Sequence, residues 1–393
     1  MGKTSKHLLL GLRGAASYTR RPVKSSIRFL ISCICVLPLG ASFAAEDASI
    51  DRLLSKLPRP EKLIKPSVQK TLEQPDPAFK DSLSTQIAAA IVARNYTLAL
   101  GLSRKLTKRY PRSAGAQCLR GIVAYDARQD AEASAAFKMA TVIEPKFTLA
   151  HFGIAAAEIA QGHCDLAIPH LRRVIELEPK AAVAYYGLSD CELRLGRKQQ
   201  SAEDARKAAA LDPSDPYVWL QLAKAEKALG HNEATLNAIA KTAALSPDSG
   251  EIFASLGFGY INLNRVPQAI PPLQRAAKLL PQDYLVQSQL GYCLLITGQT
   301  DAAIGYLKKG ASLNSKYGPV WEHLGVAYKK QGRNRDAVSA LETATWLMPS
   351  SHLAWKHLAE AYQATGRTAD AQRAAARAQQ LGGAMAKASK KKA

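Results

Sequence analysis

The chain has 393 residues and a formal charge of +21, and 47% of it is hydrophobic although only 7% is aromatic. Its length allows two or three ordinary domains or one elongated repeat array, and an apolar content supplied mostly by alanine and leucine favours closely packed helices. The cysteines are too few to cross-link so long a chain, which excludes a small disulfide-framed scaffold.

The first acidic residue is Glu46, and seven basic residues precede it: Lys3, Lys6, Arg13, Arg20, Arg21, Lys24 and Arg28. The uncharged stretch FLISCICVLPLGASFAA follows, from Phe29 to Ala45. A basic start, an apolar run and small residues at its end are the pattern of an export leader. Ser42 and Ala44 stand at the minus-three and minus-one positions, so residues 1–44 are expected to be removed as a signal peptide, leaving Ala45 first. An uncleaved anchor facing the periplasm is the alternative, since such a run sits at the lower length limit for crossing a bilayer. Pro38 interrupts the run and favours cleavage. The Thr19-Arg20-Arg21 run, the sequence Leu30-Ile31-Ser32-Cys33 and the acid-free start also touch the twin-arginine, lipoprotein and organellar patterns, but each lacks a defining part. Cleavage takes away seven positive charges and leaves about +14, a balance that attracts acidic partners or anionic head groups and also keeps a surface soluble.

Residues 45–79 read as a linker, with LPRPEKLIKP and EQPDP as breakers and one short helix around Ile50 to Leu57. Beyond it Pro111, Pro145, Pro179, Pro213, Pro247 and Pro281 recur every 34 residues, Ser315 holds the next slot and Pro349 resumes the series. Counting back defines nine units beginning at Lys80, Ala114, Thr148, Ala182, Pro216, Gly250, Tyr284, Gly318 and His352, which fill residues 80–385; residues 386–393 form a basic tail.

Each unit predicts two helices. In the last, Ser351 caps the first helix, Gly366 ends it and Thr368 caps the second. Asp130, Asn232, Thr300 and Asn334 occupy the same second-helix cap slot. Glycine recurs at the turn (Gly162, Gly196, Gly230, Gly298, Gly332, Gly366), where a left-handed backbone is required. The eighth residue of the first helix stays small (Gly121, Ala155, Ser189, Ala223, Gly257, Gly291, Gly325, Ala359). So does a second-helix position, with Ala99, Ala133, Ala167, Ser201, Ala269, Ala303, Ala337 and Ala371, so two helices can approach closely. Phe137, Leu171, Ile239, Leu273, Leu307 and Leu341 fill the remaining space.

These residues resemble the tetratricopeptide repeat, whose pattern runs aromatic, Leu-Gly, Tyr, Ala, Phe, Ala, Pro. Trp321, Leu324, Gly325, Tyr328, Ala337, Leu341, Ala344 and Pro349 match it closely, and Phe253, Leu256, Gly257, Tyr260, Ala269, Leu273, Ala276 and Pro281 nearly as well. The resemblance implies an all-α, right-handed α-solenoid of about nine helix–turn–helix units, stabilised by stacking of neighbours. It also implies a concave groove lined by the second, fifth, ninth, twelfth and thirteenth residues of each first helix. Here those positions include Tyr125, Tyr186, Arg194, Tyr217, Lys224, Lys227, Phe258, Tyr292, Lys329, Lys330 and Lys356. Aromatic faces and lysines together suit an extended peptide with apolar and acidic side chains; the alternative is that the aromatics pack between units and the lysines are merely solvated. Lys356 pairs with Glu360 at the positions where a chaperone-tail clamp has lysine and asparagine, so no such clamp is expected.

Glu158, Glu192 and Glu226 stand where the family often has tyrosine. They form either a second ligand surface or carboxylates paired with cations such as Arg172 or Arg173. Cys164 stands at the start of a second helix, where the dipole can activate a thiol, and Cys191 on the next helix is near enough in the pattern to bridge it. His163, Cys164 and His170 lack a fourth ligand and any standard metal spacing. No HExxH, GxxxxGK[ST] or GxSxG sequence occurs, and Ser67-Val68-Gln69-Lys70 matches SxxK only in the linker. With the repeats filling the chain no catalytic domain, cofactor or metal is expected. The expected function is a scaffold that holds partner polypeptides in a bacterial envelope. A basic solenoid gripping nucleic acid or another anionic polymer, or a recruiting subunit of an enzyme complex, is the alternative.

Overall fold

The computed structural model describes residues 76–390. The leader, its cleavage site and the helix expected near Ile50 lie outside the described residues. A 3₁₀ turn, Pro77–Lys80, leads into eighteen α-helices. The first five consecutive pairs are α1 Ser82–Val92 and α2 Tyr96–Arg109, α3 Ala114–Asp126 and α4 Asp130–Ile143, α5 Thr148–Ala160 and α6 Cys164–Leu177, α7 Ala182–Arg194 and α8 Lys198–Leu211, and α9 Pro216–Ala228 and α10 Asn232–Leu245. The others are α11 Gly250–Asn262 and α12 Val266–Leu279, α13 Tyr284–Ile296 and α14 Thr300–Leu313, α15 Gly318–Lys330 and α16 Asn334–Leu347, and α17 His352–Ala364 and α18 Thr368–Lys390. The last helix runs to Lys390, so the segment read as a tail from Ala386 begins inside it. The chain divides after His231 into two compact units, 76–231 and 232–390.

Every turn within a pair closes the same way. The sixteenth residue's N–H donates to the eleventh residue's carbonyl, as in His163 to Glu158 at 2.9 Å and Arg333 to Tyr328 at 3.0 Å, and the fifteenth donates to the twelfth. This Schellman closure needs a left-handed fifteenth residue. Glycine supplies it six times, with φ from 73° to 87°, whereas Arg94, Arg128 and Asn264 adopt it at φ 56°, 61° and 57°. The second-helix caps depart from expectation. Asp130, Asn232, Thr300, Asn334 and Thr368 are the first helical residues rather than caps. Gln129, Gln299 and Arg333 hold cap positions without a side-chain bond, because the tight turn leaves one residue fewer before the helix. Ser351 does cap its helix, accepting from the Ala354 N–H at 3.2 Å.

The small–large pattern is the packing code. Phe137, Leu171, Ile239, Leu273, Leu307 and Leu341 are fully buried, each worth about 1.5–3 kcal/mol of transfer. A methyl group added at Gly257 would lie 2.5 Å from Leu273 Cγ, and one at Gly291 2.6 Å from Leu307 Cγ. Between pairs, the fourth residue of a first helix reaches back six residues: the indoles of Trp219, Trp321 and Trp355 donate to the carbonyls of Pro213, Ser315 and Pro349 at 2.8–3.0 Å. Phe253 has no such donor, and there Arg275 donates to the Pro247 carbonyl at 3.1 Å.

Candidate partner-binding face

In each unit successive first helices (α3 with α5, α7 with α9, α13 with α15, α15 with α17) touch one another more closely than successive second helices do. The first helices therefore line the inner side of each unit and the second helices its outside. On the inner side of residues 76–231, α5 and α7 part to leave a shallow recess with about 10 Å³ of free room, the space of one water molecule. Phe152, Ala156 and Ile159 wall it from α5, and Val183, Tyr186, Gly187 and Asp190 from α7, while Leu171 of α6 forms the floor. The lining is apolar but for one carboxylate. Asp190 is held by Arg194 at 2.7 Å and by Lys224 at 3.2 Å, so the edge of the recess is cationic on balance. Burial raises the ionisation range of the Tyr186 phenol, and the nearby carboxylates Asp190 and Asp215 add to it.

The expected groove residues fall into distinct surroundings. Tyr125, Tyr186 and Phe258 are buried, with only Tyr186 facing the recess. Tyr217 and Lys227 are half-buried and engaged with neighbours. On the inner side of residues 232–390, the Tyr292 ring lies on His323 with centroids 4.8 Å apart. Lys329 pairs with Glu360, Lys330 Nζ donates to the Leu295 carbonyl at 3.2 Å, and Lys356 is exposed. Beside them Glu322 lies 3.9 Å from His357 Nε2, and His357 Nδ1 is 3.7 Å from Glu360. Burial pushes the Glu322 carboxyl up to about 7. Burial, aided by the charge of His357, pushes His323 down to about 4. Phe152, Ile159, Val183 and Asp190 occupy the same lining positions as the expected residues; selection for aromatics and cations passes over Ile159, Val183 and Asp190, and Phe152 was missed although it fits that selection.

The glutamates are paired. Glu158 meets His163 at 3.0 Å; Glu192 meets Arg197 at 3.0 Å and Arg172 at 3.9 Å; Glu226 meets His231 at 2.8 Å and Arg206 at 2.6 Å. Arg173 turns instead to Glu176. His170 stacks on His151, the Nδ1 atoms 3.1 Å apart, so His163, Cys164 and His170 diverge. Among the described residues no three His, Cys, Asp or Glu side chains converge on a metal position. Cys164 and Cys191 are buried free thiols; burial pushes Cys191 up, with Cys164 beside it adding to the effect.

The fold defines an α-solenoid of antiparallel helix pairs repeating every 34 residues. The tetratricopeptide repeat family profile matches residues 152–216 and 324–386, and the same pair geometry continues outside those segments. The chain is a tetratricopeptide-repeat protein. It is similar to a crystal structure of MamA protein (22% identity, 44% of this chain and 94% of that one, TM-score 0.40). It is also similar to YrrB, described as a TPR protein with an unusual peptide-binding site (21% identity, 47% and 95%, TM-score 0.42). A tetratricopeptide repeat protein from Parabacteroides merdae is a third (13% identity, 63% and 97%, TM-score 0.42). No curated protein sequence matches the chain.

Proposed function

We propose that this protein is a non-catalytic scaffold that holds an extended partner polypeptide along the inner faces of its first helices, after export to a bacterial envelope. The recess between α5 and α7 carries the reading. Phe152, Ile159, Val183 and Tyr186 line a shallow apolar dimple against which a partner's apolar side chain can pack, and the Arg194–Lys224 edge, cationic on balance around Asp190, favours an acidic group beside it. A nucleic-acid grip is less favoured, because Lys329 and Lys330 spend their donors on Glu360 and a backbone carbonyl. Export is supported by the basic, apolar and small-residue succession before Glu46.

Crosslinking in cells followed by capture tests the binding face. The parent should retain specific proteins, and a Val183→Glu, Lys224→Glu protein with unchanged helical content should lose them. Unchanged capture removes the inner-face assignment, and capture of nucleic acid alone replaces the scaffold. A carboxy-terminal reporter active only outside the cytoplasm should be active, with Ala45 at the new amino terminus. An inactive reporter ends the export reading.

A further inference from the structure

Between Asp81 and Asp126 the chain has no acidic residue and seven basic ones: Arg94, Arg104, Lys105, Lys108, Arg109, Arg112 and Arg120. Three of these are spoken for. Arg104 and Arg120 both reach Glu132, with their Nε atoms at 3.0 and 2.8 Å, and Arg109 reaches Asp81 at 2.7 Å. The remainder point outward. Leu98, Gly101, Lys105 and Lys108 are spaced by three and four residues, which puts them on one face of α2; Arg112 follows in the turn beyond it, and all five are exposed.

The Arg104–Glu132 contact sets α2 and α4 side by side on the outer side of the unit. The repeat register continues the face onto α4 and the turn after it: Lys138, Met139 and Val142 on the helix and Lys146 in the turn stand 34 residues after Arg104, Lys105, Lys108 and Arg112. These four are also exposed, Met139 by 47% and Val142 by 73%, while Leu98 is 50% exposed. Glu144 is the one exposed carboxylate among them. One repeat further on, Arg173 and Glu176 pair with each other, and the cationic face ends.

We infer that the outer face of α2 and α4 is a docking surface for an anionic phospholipid bilayer. Lys105, Lys108, Arg112, Lys138 and Lys146 supply charge for the head groups, and Leu98, Met139 and Val142 supply apolar side chains that enter the interface. Large aliphatic groups standing among unpaired cations are the chemistry of an interfacial anchor. A nucleic acid has no partner for them, and a single strand would be gripped with exposed aromatic rings. Here Tyr96 and Tyr110 are half-buried and Phe137 is fully buried. Because the surface is on the outer side, a lipid-bound molecule keeps its inner face open to a partner.

Co-sedimentation of the full-length chain with vesicles of phosphatidylcholine alone, or with about 30% phosphatidylglycerol, tests the assignment. The parent should bind the anionic vesicles more tightly and loosen as salt rises. Lys105→Gln, Lys108→Gln, Lys138→Gln together should lower partitioning onto anionic vesicles by about 100-fold. Val142→Asp alone should weaken it at every salt concentration. Residues 1–75 are common to all these proteins, so any pull of the basic leader cancels in the comparison. The substituted residues are exposed, and equal helical content checks the fold. Equal partitioning of parent and triple variant overturns the inference, as does failure of the parent to prefer anionic vesicles. Complete displacement by a DNA oligonucleotide, with Val142→Asp binding as the parent does, reassigns the face to nucleic acid.

Discussion

The two units solve one packing problem in different ways. In residues 76–231 the eleventh residue of three successive repeats is a buried glutamate, Glu158, Glu192 or Glu226; in residues 232–390 three of the four repeats have a tyrosine there, Tyr260, Tyr328 or Tyr362, and the fourth has Leu294. In both units the Schellman closure brings the eleventh and sixteenth residues together. His163, Arg197 and His231 meet the glutamates, whereas Arg333 and Arg367 lie over the Tyr328 and Tyr362 rings at 4.4 and 4.2 Å. The backbone motif therefore accepts either pair at this place and demands neither, since it also closes over Ala124 and Leu294. The two solutions differ in cost. A buried carboxylate must be compensated, and Glu192 and Glu226 draw in a second cation from the preceding second helix, Arg172 and Arg206. A tyrosine brings its own apolar area and carries no charge to compensate, although Tyr328 also has Lys308 Nζ 6.0 Å from its ring and the Tyr362 hydroxyl donates to Glu342 at 2.8 Å.

Removing a glutamate should break the first unit most severely. Glu226→Ala leaves Arg206 and His231 facing a cavity and should cost about 2–3 kcal/mol, less than a fully buried pair would because both cations are about half exposed. Glu226→Tyr should recover most of that loss in urea denaturation. If the tyrosine variant is as unstable as the alanine one, the two solutions are not interchangeable.

In the second unit the helix approach is more demanding than the slot chemistry. Gly291→Ala should lose about 1–3 kcal/mol by overpacking against Leu307 and the Ala303 carbonyl. Leu307→Ala placed on top should then cost less than it does in the parent, and strict additivity in the double variant would show that the contact is not the cause.

Proton linkage distinguishes the units further. The neutral Glu322 carboxyl, raised from 4.5 to about 7, contributes fully below pH 4.5, and that contribution fades as pH rises through 7. The neutral His323 ring, lowered from 6.5 to about 4, contributes fully above pH 6.5 and loses its effect as pH falls through 4. Between pH 4.5 and 6.5 the two slopes oppose each other. Glu322→Gln should make thermal stability rise with pH across that window, and His323→Gln should make it fall, each by about 1–2 kcal/mol. Parallel profiles in parent and variants would remove both groups from the account.

The smallest expected effect is at the turns. Arg128→Gly, at φ 61°, should stabilise the first unit by about 0.5–1 kcal/mol by relieving a left-handed arginine. The same change at Arg197, outside the left-handed set, should not.

Much of this was legible before any coordinates. The 34-residue proline period, the turn glycines and the small residues opposite Leu273 and Leu307 each report a local backbone or steric demand, and a sequence states such demands directly. The second-helix caps were misplaced by one residue because composition does not reveal how tightly a turn is wound. The recess was missed for a different reason. Val183 and Ile159 are ordinary core residues by type, and only the separation of α5 from α7 turns them into a lining.

By itself the sequence determined the repeat, the helix pairs and the family, since these follow from periodic local constraints that each unit satisfies with its own residues. Tertiary structure alone decided which cations are engaged, which aromatics are closed off, and where a shallow apolar recess opens. Pairing and burial depend on distances between helices 20 to 35 residues apart in the chain, as Arg206 with Glu226 and Lys224 with Asp190 show, and no local pattern encodes them.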